Sequence, residues 1–493
     1  MAIDNLREFI REIERAGELV RVREPVATRL EIAEVADRCM KSCGGGPAVL
    51  FEQPVLPDGR PSPIPVAINL FGSLRRICLA LGTEALDDIG GRISELLETK
   101  VPEGLMGKLA MLPKLAELAK FPPRSRGGRP PCQEIVLEGE SVDLERIPFL
   151  VTWPEDGGRY ITLPLVITED PARGTRNVGM YRIQVLGRNE LAMHWQRHKV
   201  GAAHWREMAA RKERMPVVIA LGGDPASMYS GSAPLPPTID EFLFAGFLRR
   251  SPVELARAVT CDLAVPAEAE LVLEGYIDPA EPLVLEGPFG DHTGFYSLAD
   301  YYPKVHVTAM TMRKEPVYPA TLVGRPPMED YYLGHATERI FLPLLRLTVP
   351  EIADYHMPAC GIFHNLVFVA IDKQYPGQAY KVMNALWGQG LMSLAKVIVV
   401  VDRDVNVQDP EEAWWVALNH IDPERDVRFT MGPIDVLDHA SRGFSYGSKM
   451  GIDATRKWPE EGFAREWPRR IEMDAVTKRR IDELWPRLGI ELK

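Results

Sequence analysis

The sequence predicts a chain of mixed α+β and α/β class built from at least two parts, and three observations carry that expectation. From about Val136 to Thr311, short apolar runs separated by turn residues read as a strand-rich region. After about Tyr331, apolar strands alternate with helical segments, the pattern of β-α-β units on a parallel or mixed sheet. Between them a helix over Thr337–Leu347 reads as a linker, placing a domain boundary near 325–345. At roughly 150 residues per domain, 493 residues allow two to four domains and exclude a single small module.

Each element has a local reason. Leu6, Phe9, Ile10, Ile13 and Leu19 form a helical stripe, and Gly17 is suited to end that helix. Leu19–Val22 alternates like a strand. Leu30–Met40 is a second helix, broken by Gly44-Gly45-Gly46 before the apolar strand Ala48–Phe51. The triple glycine is a turn, since no Lys-Ser/Thr follows to make it a phosphate loop. Pro, Gly and Arg crowd the segment from Phe121 to Cys132, which reads as an irregular connection. The best-marked hairpin runs Val178–Leu186, turn Gly187–Glu190, then Leu191–Trp195. Thr238-Ile-Asp-Glu241 and Ser251-Pro-Val-Glu254 look like capping boxes of successive helices. Further on, Leu366–Ile371 and Lys396–Val401 read as strands, Gln378–Trp387 and Glu411–His420 as helices.

Composition excludes several functions. Apolar residues at 46% and charged residues at 26% are ordinary globular values. The net charge of −11 argues against a nucleic-acid binder, which normally carries a basic face. No apolar run reaches the ~20 residues that span a bilayer, and Met1–Asn5 does not open a signal peptide. Six cysteines are too few for a disulfide scaffold, and Cys39-x3-Cys43 has no neighbouring His or Cys to complete a zinc site. The expected setting is therefore a reducing cytoplasm, with at most peripheral membrane contact.

Four clusters can carry chemistry. Asn177-Val-Gly-Met-Tyr-Arg182 precedes His194-Trp-Gln-Arg-His198-Lys199; Asn, His and a carboxylate can together bind a divalent ion, and an arginine can grip a carboxylate bidentately, although standing alone these residues read as an ordinary hairpin with polar residues facing water. Strict strand alternation puts Asn177 and Arg182 on opposite faces, so they converge only if the strand bulges or starts after Asn177. Glu241 is first read as a helix cap. Glu286-Gly-Pro-Phe-Gly-Asp291 sets two acids on a turn, where mutual repulsion would raise one pKa, and Phe289, Phe295 and Tyr296 offer apolar walls. Gly447-Ser-Lys449 reads as a loop whose lysine could meet a phosphate. No GxGxxG follows a strand, which speaks against a Rossmann site.

Together these motifs, with Pro236-Pro-Thr-Ile-Asp-Glu241, Glu274-Gly-Tyr, Gly324-Arg-Pro-Pro327 and Gly447–Thr455, resemble the UbiD family of prenylated-flavin-dependent decarboxylases. The similarity runs essentially end to end. It is greatest toward the 3-polyprenyl-4-hydroxybenzoate carboxy-lyases of ubiquinone synthesis, because Asp291 stands where the ferulate and cinnamate branch typically has Glu.

The resemblance implies a split β-barrel over about 133–325 within an N-terminal region 1–330, and a linker helix with a C-terminal α/β oligomerisation domain over 331–493. It implies prenylated FMN anchored through a divalent ion, usually Mn2+, often with K+. The ion's ligands would be Asn177, His198 and Glu241, which overturns the capping reading of Glu241. Met180, Tyr181, Arg182, His194, Trp195, Gln196, Lys199 and Val200 would touch the cofactor, with Lys449 a further contact for its phosphate. Lys199-Val200 replaces the family's Arg-Gly, so contacts there would run mainly through backbone. The implied catalytic set is Glu286, Arg182 and Asp291: Arg182 orients the substrate carboxylate, Glu286 holds Arg182, and Asp291 delivers the proton that replaces CO2. The implied substrate is an aromatic or α,β-unsaturated acid, a flavin prenyltransferase supplies the cofactor, and the assembly is a homodimer or hexamer. Two other readings remain: a menaquinone-pathway or small aryl acid as substrate, and an inactive flavin-binding assembly subunit.

Overall fold

The computed structural model of the protein describes residues 2–97, 120–197 and 199–490. Helix Leu6–Arg15 buries Leu6, Phe9, Ile10 and Ile13, and Asn5 caps it by accepting from the Glu8 N–H. Gly17 follows with φ at 74°, a left-handed turn open to glycine. A small sheet then runs in the order Leu19–Val22, Ala48–Phe51, Val66–Ile68, Tyr318–Ala320. Its last strand returns from beyond the central region and ties the N-terminal layer to it.

The central region is a nine-stranded sheet. From one edge its path runs Arg176–Gly179, Pro164–Glu169, Met215–Leu221, Leu271–Ile277, Lys304–Met312, Glu190–Met193, Ile183–Val185, Arg159–Ile161, and the ninth strand, Ile135–Glu138, pairs with Lys304–Met312 off this path. Chain continuity forces this sheet to curl. Arg159–Ile161 and Pro164–Glu169 are consecutive in sequence yet six strand spacings apart in that order, roughly 29 Å if the sheet were flat. The link from Ile161 to Pro164 can reach only about 11 Å. The ends therefore approach one another, giving the split barrel. Most strand residues are buried on both faces, with the N-terminal layer and helices over one side.

The run expected as a single strand, Val178–Leu186, is two. Arg176–Gly179 pairs with Pro164–Glu169, whereas Ile183–Val185 pairs with Glu190–Met193 and Arg159–Ile161. Met180, Tyr181 and Arg182 cross from the edge strand at one end of the sheet order to the second strand in from the other end, so the face alternation expected of a continuous strand is broken there.

Other expectations also change. The helix Glu241–Arg249 is capped by Asp240, whose side chain accepts from the Phe242 and Leu243 N–H groups; Thr238 is not the cap. Ser251 starts no helix, because Glu254–Arg257 is a strand paired with Ala264–Pro266. The linker helix begins earlier than expected and spans Glu329–Thr348. It leads into a five-stranded sheet in the order Ile352–His356, Leu366–Ile371, Val397–Asp402, Tyr446–Asp453, Val427–Pro433. The inner three strands are parallel and the outer two antiparallel. Helices Gln378–Trp387 and Pro410–His420 cover its opposite faces, each over its own apolar cluster. Among the described residues, no helix is long and apolar enough to cross a membrane.

Candidate active site

Arg182 lies where the chain crosses between these two strands, and two acids from a distant loop close on it. Its Nε donates to Glu286 Oε1 at 2.9 Å and its Nη2 to Glu286 Oε2 at 3.1 Å, a bidentate pair. Nη1 donates to Asp291, and Nη2 also donates to Ser297 Oγ at 3.0 Å. Four of the five guanidinium N–H groups are thus used. The Phe289 ring lies 4.9 Å from the guanidinium carbon. On the far side of Glu286, His194 Nδ1 sits 2.9 Å from Oε2, and the His194 ring packs on Tyr302.

The charges are strongly coupled. Burial alone would raise Glu286, but His194 and Arg182 outweigh it and hold the carboxyl at about 2. Burial also pushes Asp291 up, yet Arg182 and His292 hold it well below the usual carboxylate range. Burial opposes the Arg182 charge, and the two carboxylates more than restore it. His194 is pushed down by burial and by Arg182. The expectation that repulsion raises one of the two acids therefore fails in this state: the intervening arginine separates them, and both are ionised.

The loop that carries the acids is tightly held. Asp156 Oδ1 accepts from the Gly290 N–H at 2.8 Å, and its Oδ2 accepts from the Thr152 and Trp153 N–H groups. Ser297 N–H donates to Phe289 O, and Asp291 N–H to Phe295 O. A Cβ at Gly290 would lie 2.1 Å from Trp153 Cδ1, so only glycine lets the loop approach. Gln184 fixes the other end, accepting from the Gly287 N–H at 2.8 Å. Beyond Asp291, His292 Nδ1 meets Asp291 Oδ1 at 3.0 Å and His292 Nε2 meets His364 Nε2 at 3.2 Å. His364 belongs to the C-terminal region, and its Nδ1 faces Asn365 Oδ1 at 3.2 Å. A carbonyl oxygen there calls for a proton on His364 Nδ1, which leaves Nε2 as acceptor. His292 then donates from both nitrogens and is the cation of the set, in keeping with its raised pKa, where burial is outweighed by Asp291. Burial pushes His364 down to about 4.

On the barrel's other edge, Asn177 and Glu241 come together: the Val178 N–H donates to Glu241 Oε2 at 3.0 Å. Glu241 is the first residue of its helix, and burial pushes its carboxyl up to about 7. His198 lies outside the described residues. Asn177 Nδ2, His194 Nε2 and Trp195 Nε1 are buried without a hydrogen-bond partner among the described residues. Buried polar atoms are seldom left so, and such unpaired atoms suit a polar ligand. Tyr181 packs edge-on to Trp195, and Met180 N–H is tied to Gly231 O. Gln196 accepts from the Lys199 N–H, and Lys199 leads into helix Val200–Arg211, whose start has no side-chain cap. Lys449 is elsewhere. It lies in the strand Tyr446–Asp453, not in a loop, and its ammonium donates to Ser393 O at 2.5 Å and Ala395 O at 2.9 Å.

Sequence reasoning missed Ser297, Asp156 and His364, which join the site only through tertiary folding. His292 had a signal, since it directly follows Asp291 in the motif.

Comparison with known proteins places this geometry. Family models of 3-octaprenyl-4-hydroxybenzoate carboxy-lyase match throughout: the N-terminal domain over residues 10–93, the Rift-related domain over 124–326 and the C-terminal domain over 331–454. The chain belongs to the UbiD family. It is 54% identical to an uncharacterized protein of Aquifex aeolicus (strain VF5), over 99% of each chain. Vanillic acid decarboxylase of Sedimentibacter hydroxybenzoicus in its closed form superposes with a TM-score of 0.83 at 27% identity, covering 99% of both chains. The UbiD-class enzyme HmfF of Pelotomaculum thermopropionicum, in complex with FMN, gives 0.79 at 28% identity, over 96% of this chain and 98% of that one. An evolved dimeric form of HmfF, in complex with prFMN, gives 0.77 at 28% identity with the same coverage.

Proposed function

We propose that the protein is a decarboxylase of aromatic or α,β-unsaturated carboxylic acids that works with prenylated FMN. The observation that carries this reading is the buried Arg182 held between Glu286 and Asp291. When bound, the cofactor supplies the electron sink that loss of CO2 from an sp2 carbon requires, which no side chain offers. Asn177, His198 and Glu241 would hold the divalent ion that anchors the cofactor, Mn2+, with K+ as a further cation. Met180, Tyr181, Trp195, Gln196, His194, Lys199 and Val200 line the cofactor's seat. The uncapped helix start at Val200 suits a phosphate.

The residues of this chain divide the remaining work. Glu286 fixes the plane of Arg182, so the guanidinium meets the substrate carboxylate in one orientation. With one N–H left free, the incoming carboxylate competes with Asp291 for Nη1. Losing that cation releases Asp291 from its low pKa, and His292 stands at hydrogen-bond distance to pass it a proton. Asp291 then protonates the carbon that CO2 leaves. Phe289 and Tyr302 keep water from the clamp.

The substrate in this reading is a 3-polyprenyl-4-hydroxybenzoate of ubiquinone synthesis, and a menaquinone-pathway or small aryl acid is the alternative. A flavin prenyltransferase supplies the cofactor. Exposed Phe429, Met431, Phe444 and Tyr446 on and beside the C-terminal edge strand support assembly as a homodimer or hexamer through that domain. The test is a flavin spectrum and a substrate panel on protein coexpressed with a flavin prenyltransferase, with products read by mass spectrometry. Cofactor binding without decarboxylation of any member would favour the inactive assembly subunit instead.

A further inference from the structure

Away from the Arg182 clamp, three titratable side chains converge where the linker helix meets the first strand of the C-terminal sheet. His335 and Glu338 are three residues apart on helix Glu329–Thr348 and so share a face. His356 ends strand Ile352–His356, which packs against that helix. One oxygen of Glu338, Oε1, lies 3.2 Å from His335 Nδ1 and 3.1 Å from His356 Nδ1. The other, Oε2, accepts from the Met357 N–H at 2.7 Å. All three ligand atoms lie within 4.8 Å of one another.

From these positions we infer a divalent-cation site, for Zn2+ in the first instance, formed by His335, Glu338 and His356. Zn–N and Zn–O bonds of about 2.0–2.2 Å in a tetrahedral shell put neighbouring ligand atoms about 3.3–3.6 Å apart, a few tenths of an ångström beyond the 3.2 and 3.1 Å found here. Two imidazoles and a carboxylate suit a borderline ion. His335 Nδ1 is buried and makes no hydrogen bond although it faces an anion; an imidazole nitrogen and a carboxylate oxygen so placed can share a cation. The Glu338 side chain is fully buried. Among the described residues Arg339 is also near it, with Nη1 3.9 Å from Oε1, and is engaged by Asp354 and Asp87. The His335 side chain keeps 20% exposure, against 0% and 3% for Glu338 and His356, which leaves one side for a water as fourth ligand. The ion would fasten the linker helix to the C-terminal sheet. This site shares no residue with the ligand set proposed for the cofactor.

The test compares zinc content of full-length wild type, His335→Gln, His356→Gln and Glu241→Gln, each stripped with chelator and dialysed against ZnCl2. Wild type is expected to hold one equivalent that both histidine variants lack and Glu241→Gln retains. The wild type's melting temperature should rise with Zn2+ while theirs do not. X-ray absorption of the zinc-loaded wild type keeps the test decisive if His356→Gln fails to fold: two imidazoles with a carboxylate are expected. Equal zinc in wild type and His335→Gln, or a zinc shell of oxygens alone, overturns the site.

Discussion

Replacing Asp291 by Asn keeps the shape of the side chain and a carbonyl oxygen to accept from Arg182, but removes the acid that can receive and deliver a proton. If Asp291 protonates the product carbon, decarboxylation should fall by ~10²–10⁴-fold, about 2.7–5.4 kcal/mol in activation free energy. The geometry adds a second signature. In the resting protein Asp291 holds Arg182 Nη1, the group the substrate carboxylate must reach. Removing that competing anion should leave KM unchanged or lower while kcat collapses. Stopped assays on cofactor-loaded protein give both constants, and exchange of the product's ring proton in deuterated water should fall in parallel. Flavin and metal content should not change. A variant that decarboxylates and exchanges at near wild-type rate, or one whose loss lies wholly in KM, refutes Asp291 as the donor.

Three further outcomes follow from the same geometry. His292 is raised above its ordinary 6.5 because Asp291, with Asp330 and Asp435 beyond, outweighs its burial; its proton is present below that raised pKa and lost as pH climbs through it. The kcat profile should therefore decline as pH rises through that raised pKa, and His292→Gln should abolish that limb; an unchanged profile removes His292 from proton supply. Glu241→Gln should lower both metal and flavin occupancy, as read by elemental analysis and the flavin spectrum; full occupancy would return Glu241 to a structural role. Glu286 is held at about 2 against an ordinary 4.5, so the stability it adds is complete above about 4.5 and is lost as pH falls toward 2. Acid unfolding monitored by circular dichroism should be shallower over that window in Glu286→Gln than in wild type.

Periodicity read the C-terminal sheet well because its strands are apolar on both faces: Leu366–Ile371 matched its observed limits, and Lys396–Val401 was one residue early. It misread places where tertiary pairing decides. Nothing local in Met180-Tyr181-Arg182 distinguishes a barrel crossing from a strand interior, because the break exists only where two distant parts of the sheet compete for the chain. Thr238 and Glu241 match a capping box, yet Asp240 accepts from two helix amides and displaces Thr238. The glycines before Lys449 suggested a loop, although pairing with Val427–Pro433 makes it a strand. Arg182 lies 104 residues from Glu286 and 109 from Asp291. Their convergence came from resemblance, since spacing across such distances carries no geometric information. His364 arrives from the other side of the linker helix and has no sequence signal toward Asp291.

The most direct measurement of the central claim uses protein coexpressed with a flavin prenyltransferase and incubated in deuterated water with a panel of aromatic and α,β-unsaturated acids, including tailed and untailed 4-hydroxybenzoates. Mass spectrometry should find at least one acid that loses CO2 and gains a single deuteron at the vacated carbon, with faster turnover for the tailed substrate. The polyprenyl tail favours an apolar seat by ~0.8 kcal/mol per buried CH2. Equal turnover of tailed and untailed acids would contradict the polyprenyl substrate alone. Bound prenylated flavin with no loss of CO2 from any acid would contradict the account itself.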